Sequence, residues 1–147
     1  MEIIVIDENY EDIVKVGSEE NAWFELDSDI SFPNSFILIK VPLKCTNIFG
    51  KLIRVCEWID ASGSIQAIES IKADKSITVQ GSIEAKKSIY SQGFLKANYI
   101  KTDGTIEAKD SMNVNTYVSA GDWIEVNGWL EVGSQFNHFI EAGSWIS

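Results

Sequence analysis

Residues 64–85 read Ser64-Ile65-Gln66-Ala67-Ile68-Glu69-Ser70-Ile71-Lys72-Ala73-Asp74-Lys75-Ser76-Ile77-Thr78-Val79-Gln80-Gly81-Ser82-Ile83-Glu84-Ala85. One phrase, Ser-Ile-x-Ala, returns every six residues. Outward from this stretch the large aliphatic position continues through Ile53, Ile59, Ile89 and Leu95. It then runs on through Ile100, Ile106, Met112, Val118, Ile124 and Leu130. Two residues after most of these stands a small or β-branched residue, such as Ala61, Ala97, Ala108, Val114 or Val126. The register slips by one residue between Leu95 and Ile100, breaks after Leu130, and resumes at Ile140-Glu141-Ala142.

A period of six does not suit a helix, whose apolar positions return every three or four residues. It suits a three-residue strand, whose first and third side chains share one side, followed by a corner. The corners carry turn residues, among them Ser62-Gly63, Asp103-Gly104 and Asn127-Gly128. So short a strand becomes stable only when like strands stack above and below it. The expected fold is therefore all-β: a parallel β-helix (solenoid) with three six-residue phrases, eighteen residues, per coil. Residues 1–50 depart from the phrase and are expected to form an acidic, β-rich N-terminal cap, with the β-helix spanning 51–147. In the cap, 1–7, 21–26 and 36–41 read as strands, and 10–16 as a short helix or a strand.

The repeated Ser-Ile-x-Ala run resembles the hexapeptide-type β-helices of bacteria and their phages. These include bactofilin-like polymer-forming proteins and short Gly-Ser-Ile-x-Ala proteins of mobile elements. The resemblance covers about two thirds of the chain and bears on architecture. It implies either self-assembly of the bactofilin kind or a phage-encoded anti-defence protein, such as an anti-CRISPR. The chain departs from the left-handed acyltransferase hexapeptide, in which the small residue precedes the aliphatic one.

Composition narrows the function class. The net charge is −10, unevenly placed. Residues 1–36 hold ten acids against Lys15, residues 37–56 hold Lys40, Lys44, Lys51 and Arg54 with no acid, and no Lys or Arg follows Lys109. Direct nucleic-acid binding needs a basic stripe to displace counterions, and none is present. No basic leader and no apolar run of membrane-spanning length stands out, so the expected location is the cytoplasm of the bacterial host. Cys45 and Cys56 have neither metal-ligand spacing nor the density of a disulfide framework. His138 is the sole histidine and reads as structural. No phosphate-binding loop or calcium repeat is present. The reading is of a non-enzyme with no catalytic residue, no cofactor and no metal site. An enzyme completing a site at an oligomer interface through His138 is the least favoured class.

Two sets of residues stand out as candidate contacts. Aligning phrases eighteen apart places Lys72, Tyr90, Glu107, Glu125 and Glu141 in one outward column. With Asp122 and with Asp7, Glu8, Glu11 and Asp12 of the cap, these carboxylates are the candidate protein-binding surface, an imitation of a phosphate backbone. The slot before the aliphatic is Ser in early phrases and aromatic later, at Phe94, Tyr99, Tyr117, Trp123, Trp129, Phe139 and Trp145. Concentrated aromatics at an uncapped end point to an interface, so Trp123, Trp129, Phe136, Phe139, Trp145 and Ile146 are expected to form a homodimer contact. The expected partner is a protein with a basic groove, a CRISPR effector nuclease being the example the resemblance brings, occluded by the acidic surface. The rival expectation is an end-to-end polymer.

Overall fold

The computed structural model describes residues 1–18, 20–133, 139–142 and 145–147, the strands at 139–142 and 145 by backbone register. Among the described residues the secondary structure is all strand and turn. In chain order the strands are β1 (Ile3–Ile6), β2 (Val14–Val16), β3 (Trp23–Glu25), β4 (Ile30–Ile39), β5 (Leu43–Cys45) and β6 (Ile48–Val55). They continue as β7 (Ile59–Ala61), β8 (Ile65–Ala73), β9 (Ile77–Val79), β10 (Ser82–Ala85), β11 (Ser88–Ser91) and β12 (Leu95–Thr102). The last are β13 (Thr105–Ala108), β14 (Met112–Ala120), β15 (Trp123–Val126), β16 (Leu130–Val132), β17 (Phe139–Ala142) and β18 (Trp145–Ile146).

Among the described residues every pairing but one is parallel, and most join coils sixteen to nineteen residues apart, giving a β-solenoid of about six turns; β1 and β4 are 33 residues apart, and β17 and β18 lie 22 residues beyond their partners β14 and β15. Three faces result. On the first, Phe24, Leu43, Ile59, Ile77, Leu95, Met112 and Leu130 stack in register. On the second stand Ile30, Ile48, Ile65, Ile83, Ile100, Val118 and Ile140. On the third stand Ile4, Ile37, Ile53, Ile71, Ile89, Ile106, Ile124 and Ile146. The first and third residues of each phrase point inward, and the aliphatic ladder from Ile30 to Ile124 is almost wholly buried. Each buried Ile contributes roughly 1.5–3 kcal/mol relative to exposure.

The parallel stack begins before residue 51. β3, β4 and β5 already pair in parallel with the coils that follow. Ile37-Leu38-Ile39, Leu43-Lys44-Cys45 and Ile48-Phe49-Gly50 are copies of the phrase with shortened corners. The coil from Leu43 is correspondingly tight, since its partner on the next rung, Ile59, follows after sixteen residues. Its inward position on the second face is Gly50, where later coils carry Ala67, Ala85, Thr102 and Ala120.

The first rung is closed by a smaller piece. After β1 the chain turns through 7–13, with Tyr10 and Ile13 packed against the core. The 10–16 stretch is this turn followed by β2, which pairs antiparallel with β3. Asp12 sits in the left-handed region at φ 65°, a conformation Asp tolerates better than most residues. Among the described residues buried polar side chains are few and satisfied: the Ser91 hydroxyl donates to the Lys75 carbonyl at 2.7 Å.

Candidate interaction surfaces

Outward positions form columns, and the chemistry of each column follows from the register. On the third face the middle residues of successive phrases are Val5, Leu38, Arg54, Lys72, Tyr90, Glu107 and Glu125. The column grades from apolar through basic to acidic. Glu107 and Glu125 are neighbours on adjacent rungs, as the eighteen-residue alignment requires. Glu141 is not in this column. Its strand pairs with β14, opposite Ser119 on the second face: Ile140 is the next phrase after Leu130 of the first face, and the ten-residue step between them makes counting by eighteens misplace it on the third. The side chains of Glu141, Phe139 and Trp145 lie outside the described residues, as do all of Phe136 and His138.

Four acids of the solenoid body, Glu57, Glu69, Asp74 and Glu107, are matched by cations. Lys109 pairs with Glu107. That hydrogen bond, reinforced by the charges of Glu107 and Glu125, raises the Lys109 pKa above its ordinary value. Lys75 pairs with Glu57, and Lys51 and Lys87 both approach Glu69. One guanidinium nitrogen of Arg54 donates to both carboxylate oxygens of Asp74 at 3.0 Å. Lys72 lies over the Tyr90 ring, 5.5 Å from its centroid. A continuous acidic column is therefore absent from the described part of this face. Asp122, exposed in the corner between β14 and β15, is the unpaired acid nearest to Glu125 in sequence.

The cap differs. Asp7, Glu8, Glu11 and Asp12 lie together in the turn after β1, and the last three are exposed. Asp7 accepts a backbone hydrogen bond from Asn9 at 2.9 Å, and Glu11 helps raise the Tyr10 pKa, an effect that burial of the phenol leads. None of the four is in an ion pair. The cap acids and Glu125 stand at opposite ends, six rungs apart along the third face, with Glu107 one rung nearer. At about 4.8 Å per rung the separation is about 29 Å. The fold does not bring the two acidic groups into one surface.

The slot before the aliphatic also divides by face, so the late aromatics do not form a single patch. Tyr99 and Tyr117 are on the second face and stack with ring centroids 4.8 Å apart and planes 10° from parallel. They continue a polar ladder of Asp29, Asn47, Ser64 and Ser82, linked by hydrogen bonds between coils. The Asp29 carboxyl is held below its usual range, chiefly by the hydroxyl of Thr46 at 2.7 Å and the amide of Asn47. Trp123 is half-buried on the third face, in register with Trp145. Phe94 and Trp129 are on the first face with Ser111 between them. That face has a regularity the sequence reading missed: Trp23, Pro42, Trp58, Ser76, Phe94, Ser111 and Trp129 succeed one another, an aromatic on every second rung. The serines accept hydrogen bonds from the backbone N–H of Phe94 and Trp129. Trp23 is engaged by Lys44, 4.8 Å above its ring, and donates to Glu25.

At the last rungs Trp129 is 55% and Ile146 49% exposed. Among the described residues no three His, Cys, Asp or Glu side chains are grouped to hold a metal ion, and no helix is long and apolar enough to cross a membrane. Comparison with protein-family models, with curated proteins and with solved structures returned no significant match to this chain.

Proposed function

We propose that this chain is a non-enzymatic protein-binding β-solenoid whose acidic N-terminal end occupies a basic nucleic-acid-binding groove of its target. The observation that carries the reading is the clustering of unpaired acids in the turn after β1. Asp7, Glu8, Glu11 and Asp12 share one turn, with Glu2 just before β1, and none has an ion-pair partner among the described residues, whereas Glu57, Glu69, Asp74 and Glu107 of the solenoid body pair with lysines or Arg54. Unpaired carboxylates packed into one turn keep a strong local field, which attracts a cationic surface and speeds association. A target of matching chemistry is a defence nuclease with a cationic DNA or RNA channel, such as a CRISPR effector. The mechanism is occlusion, with carboxylates standing where phosphates would.

The opposite end fits self-association. The exposed Trp129 and Ile146 lie on the last described rungs, where β16 and β18 each pair on one side only among the described residues. A homodimer through that end leaves both acidic caps free. End-to-end polymerisation is less well supported, because β2 lies antiparallel across the edge of β3 that a preceding subunit would need.

The test is inhibition of DNA binding by a panel of RNA-guided effector nucleases. Wild type is expected to inhibit at least one, less so as salt rises. The combined variant Asp7→Asn, Glu8→Gln, Glu11→Gln, Asp12→Asn should lose inhibition, while Glu107→Gln with Glu125→Gln should retain it. Equal potency of the cap-neutralised variant would overturn the reading. Light scattering on Trp129→Glu checks the dimer, which should become a monomer.

A further inference from the structure

We propose that β1 is a docking edge, to which a partner protein adds an extended strand of alternating apolar residues flanked by lysine or arginine. This rests on the acidic-end reading above and specifies the partner's contact segment. Among the described residues β1 pairs only with β4. The carbonyls of Glu2 and Ile6 accept hydrogen bonds from the N–H groups of Phe36 and Lys40 at 3.0 and 2.9 Å. Alternate residues of a strand present their backbone groups to opposite edges, so Ile3 and Val5 direct theirs to the open side. A row of such groups is a template for another strand.

Edges are usually blunted by a lysine, a proline, a bulge or a cover. β1 has the first three nowhere: residues 3–6 are Ile-Ile-Val-Ile. On the first face the corresponding edge, that of β3, is covered by β2. On the second, the stretch Ile30–Phe32 runs into Pro33. β1 alone keeps an apolar open edge at this end among the described residues.

The side chains agree with the backbone. Ile3 is 57% and Val5 37% exposed. Their register partners Phe36, Leu52 and Leu38 extend the apolar band across the outer sheet face. An added strand would set its own outward side chains beside Ile3 and Val5. Charge then selects the occupant. Glu2 lies before the strand and Asp7 and Glu8 after it, so cations at both ends of the incoming segment would be matched. A second copy would instead bring together two caps, each with seven acids against Lys15 over residues 1–22. Strand addition gives affinity through main-chain hydrogen bonds and specificity through alternate side chains.

The probe is a fluorescent synthetic peptide, Lys-Arg-Val-Thr-Val-Thr-Val-Arg-Lys, read by anisotropy against a control of the same composition with its three valines contiguous. Wild type should bind the alternating peptide more tightly than the control. Val5→Pro removes only an N–H facing the open edge, which leaves the β4 ladder intact, and should weaken binding about tenfold or more. Should that variant fail to fold, Val5→Asp serves: it adds negative charge but deletes the apolar contact, so strand addition requires weaker binding and simple charge attraction requires tighter. The proposal is overturned if wild type does not bind the peptide, if Val5→Pro binds as wild type does, or if Val5→Asp binds more tightly. It is also overturned if Val5→Pro converts a wild-type dimer to monomer, which would assign the edge to a second copy. The cap-neutralised variant separates the two readings. Loss of peptide binding there with retention in Val5→Pro leaves the acidic end standing without the strand. The reverse leaves the strand without the charge.

Discussion

Gly50 is where the packing of the solenoid can be tested most sharply. A methyl group added there would lie 2.6 Å from Cδ1 of Ile37, 3.1 Å from its Cγ1 and 3.2 Å from Cγ1 of Ile53. Both isoleucines are buried, at 0% and 2% exposure. The later coils carry alanine or threonine at this position, so the obstacle is the short coil and not the strand conformation. Overpacking of this kind costs about 1–3 kcal/mol, offset by about 0.4–1 kcal/mol from restricting the unfolded chain. Gly50→Ala is therefore expected to destabilise by about 1 kcal/mol. Ile37→Val deletes the closest atom and by itself costs about 0.5–1.5 kcal/mol. In that background the added methyl fills the vacated space, and Gly50→Ala should become neutral or stabilising. The coupling is then roughly 1–1.5 kcal/mol, well above the 0.3–0.5 kcal/mol within which independent sites add. Urea titration of the four proteins, followed by tryptophan fluorescence, measures it. An equal shift from Gly50→Ala in both backgrounds would refute the argument that Ile37 limits this coil.

Two further outcomes follow from single side chains. Burial, with the charges of Asp60 and Asp29, pushes the Cys45 thiol up to about 12, while Cys56 is only half-buried. At pH 8 roughly one Cys45 in ten thousand is a thiolate, so Ellman's reagent should titrate one thiol in the native protein and two in urea. Two fast thiols in the native state would contradict the packing. Burial, Tyr99 and Glu84 raise the Tyr117 pKa. A phenol raised in the folded state contributes stability that is complete below the unfolded value near 10 and is lost as pH climbs through the folded value. Melting temperature should fall above about pH 10, and Tyr117→Phe should soften that fall. An unchanged slope would show that Tyr117 is not the group responsible, Tyr10 being the next candidate because its pKa is also raised.

Much of the architecture was legible before any coordinates. The alternation in Ile71-Lys72-Ala73 or Ile89-Tyr90-Ser91 states which side chains face inward, and the column Lys72, Tyr90, Glu107 and Glu125 was read correctly, its spacings being eighteen, seventeen and eighteen residues. Reading failed where corner length changes. Ile37, Leu43 and Ile48 belong to the stack but lead on to Ile53 after six, five and five residues, so the search for one period passed over these three. Glu141 was assigned to the wrong face for the same reason. The candidate surface was half legible: acidity of the cap is a matter of composition, but the neutralisation of Glu69 by Lys51 and Lys87, or of Asp74 by Arg54, joins residues from different coils.

The amino-acid sequence by itself thus determined a three-sided parallel solenoid and its aliphatic core, because strand alternation is local geometry and short strands of one pattern can bury their apolar side only by stacking. The tertiary structure decided what each outer face carries. Register between coils depends on the length of every intervening corner, and a change of one residue alters which side chains become neighbours about 4.8 Å away. It also decided that β2 covers β3 while β1 stays open, since an edge is defined by the strand that does or does not lie beside it.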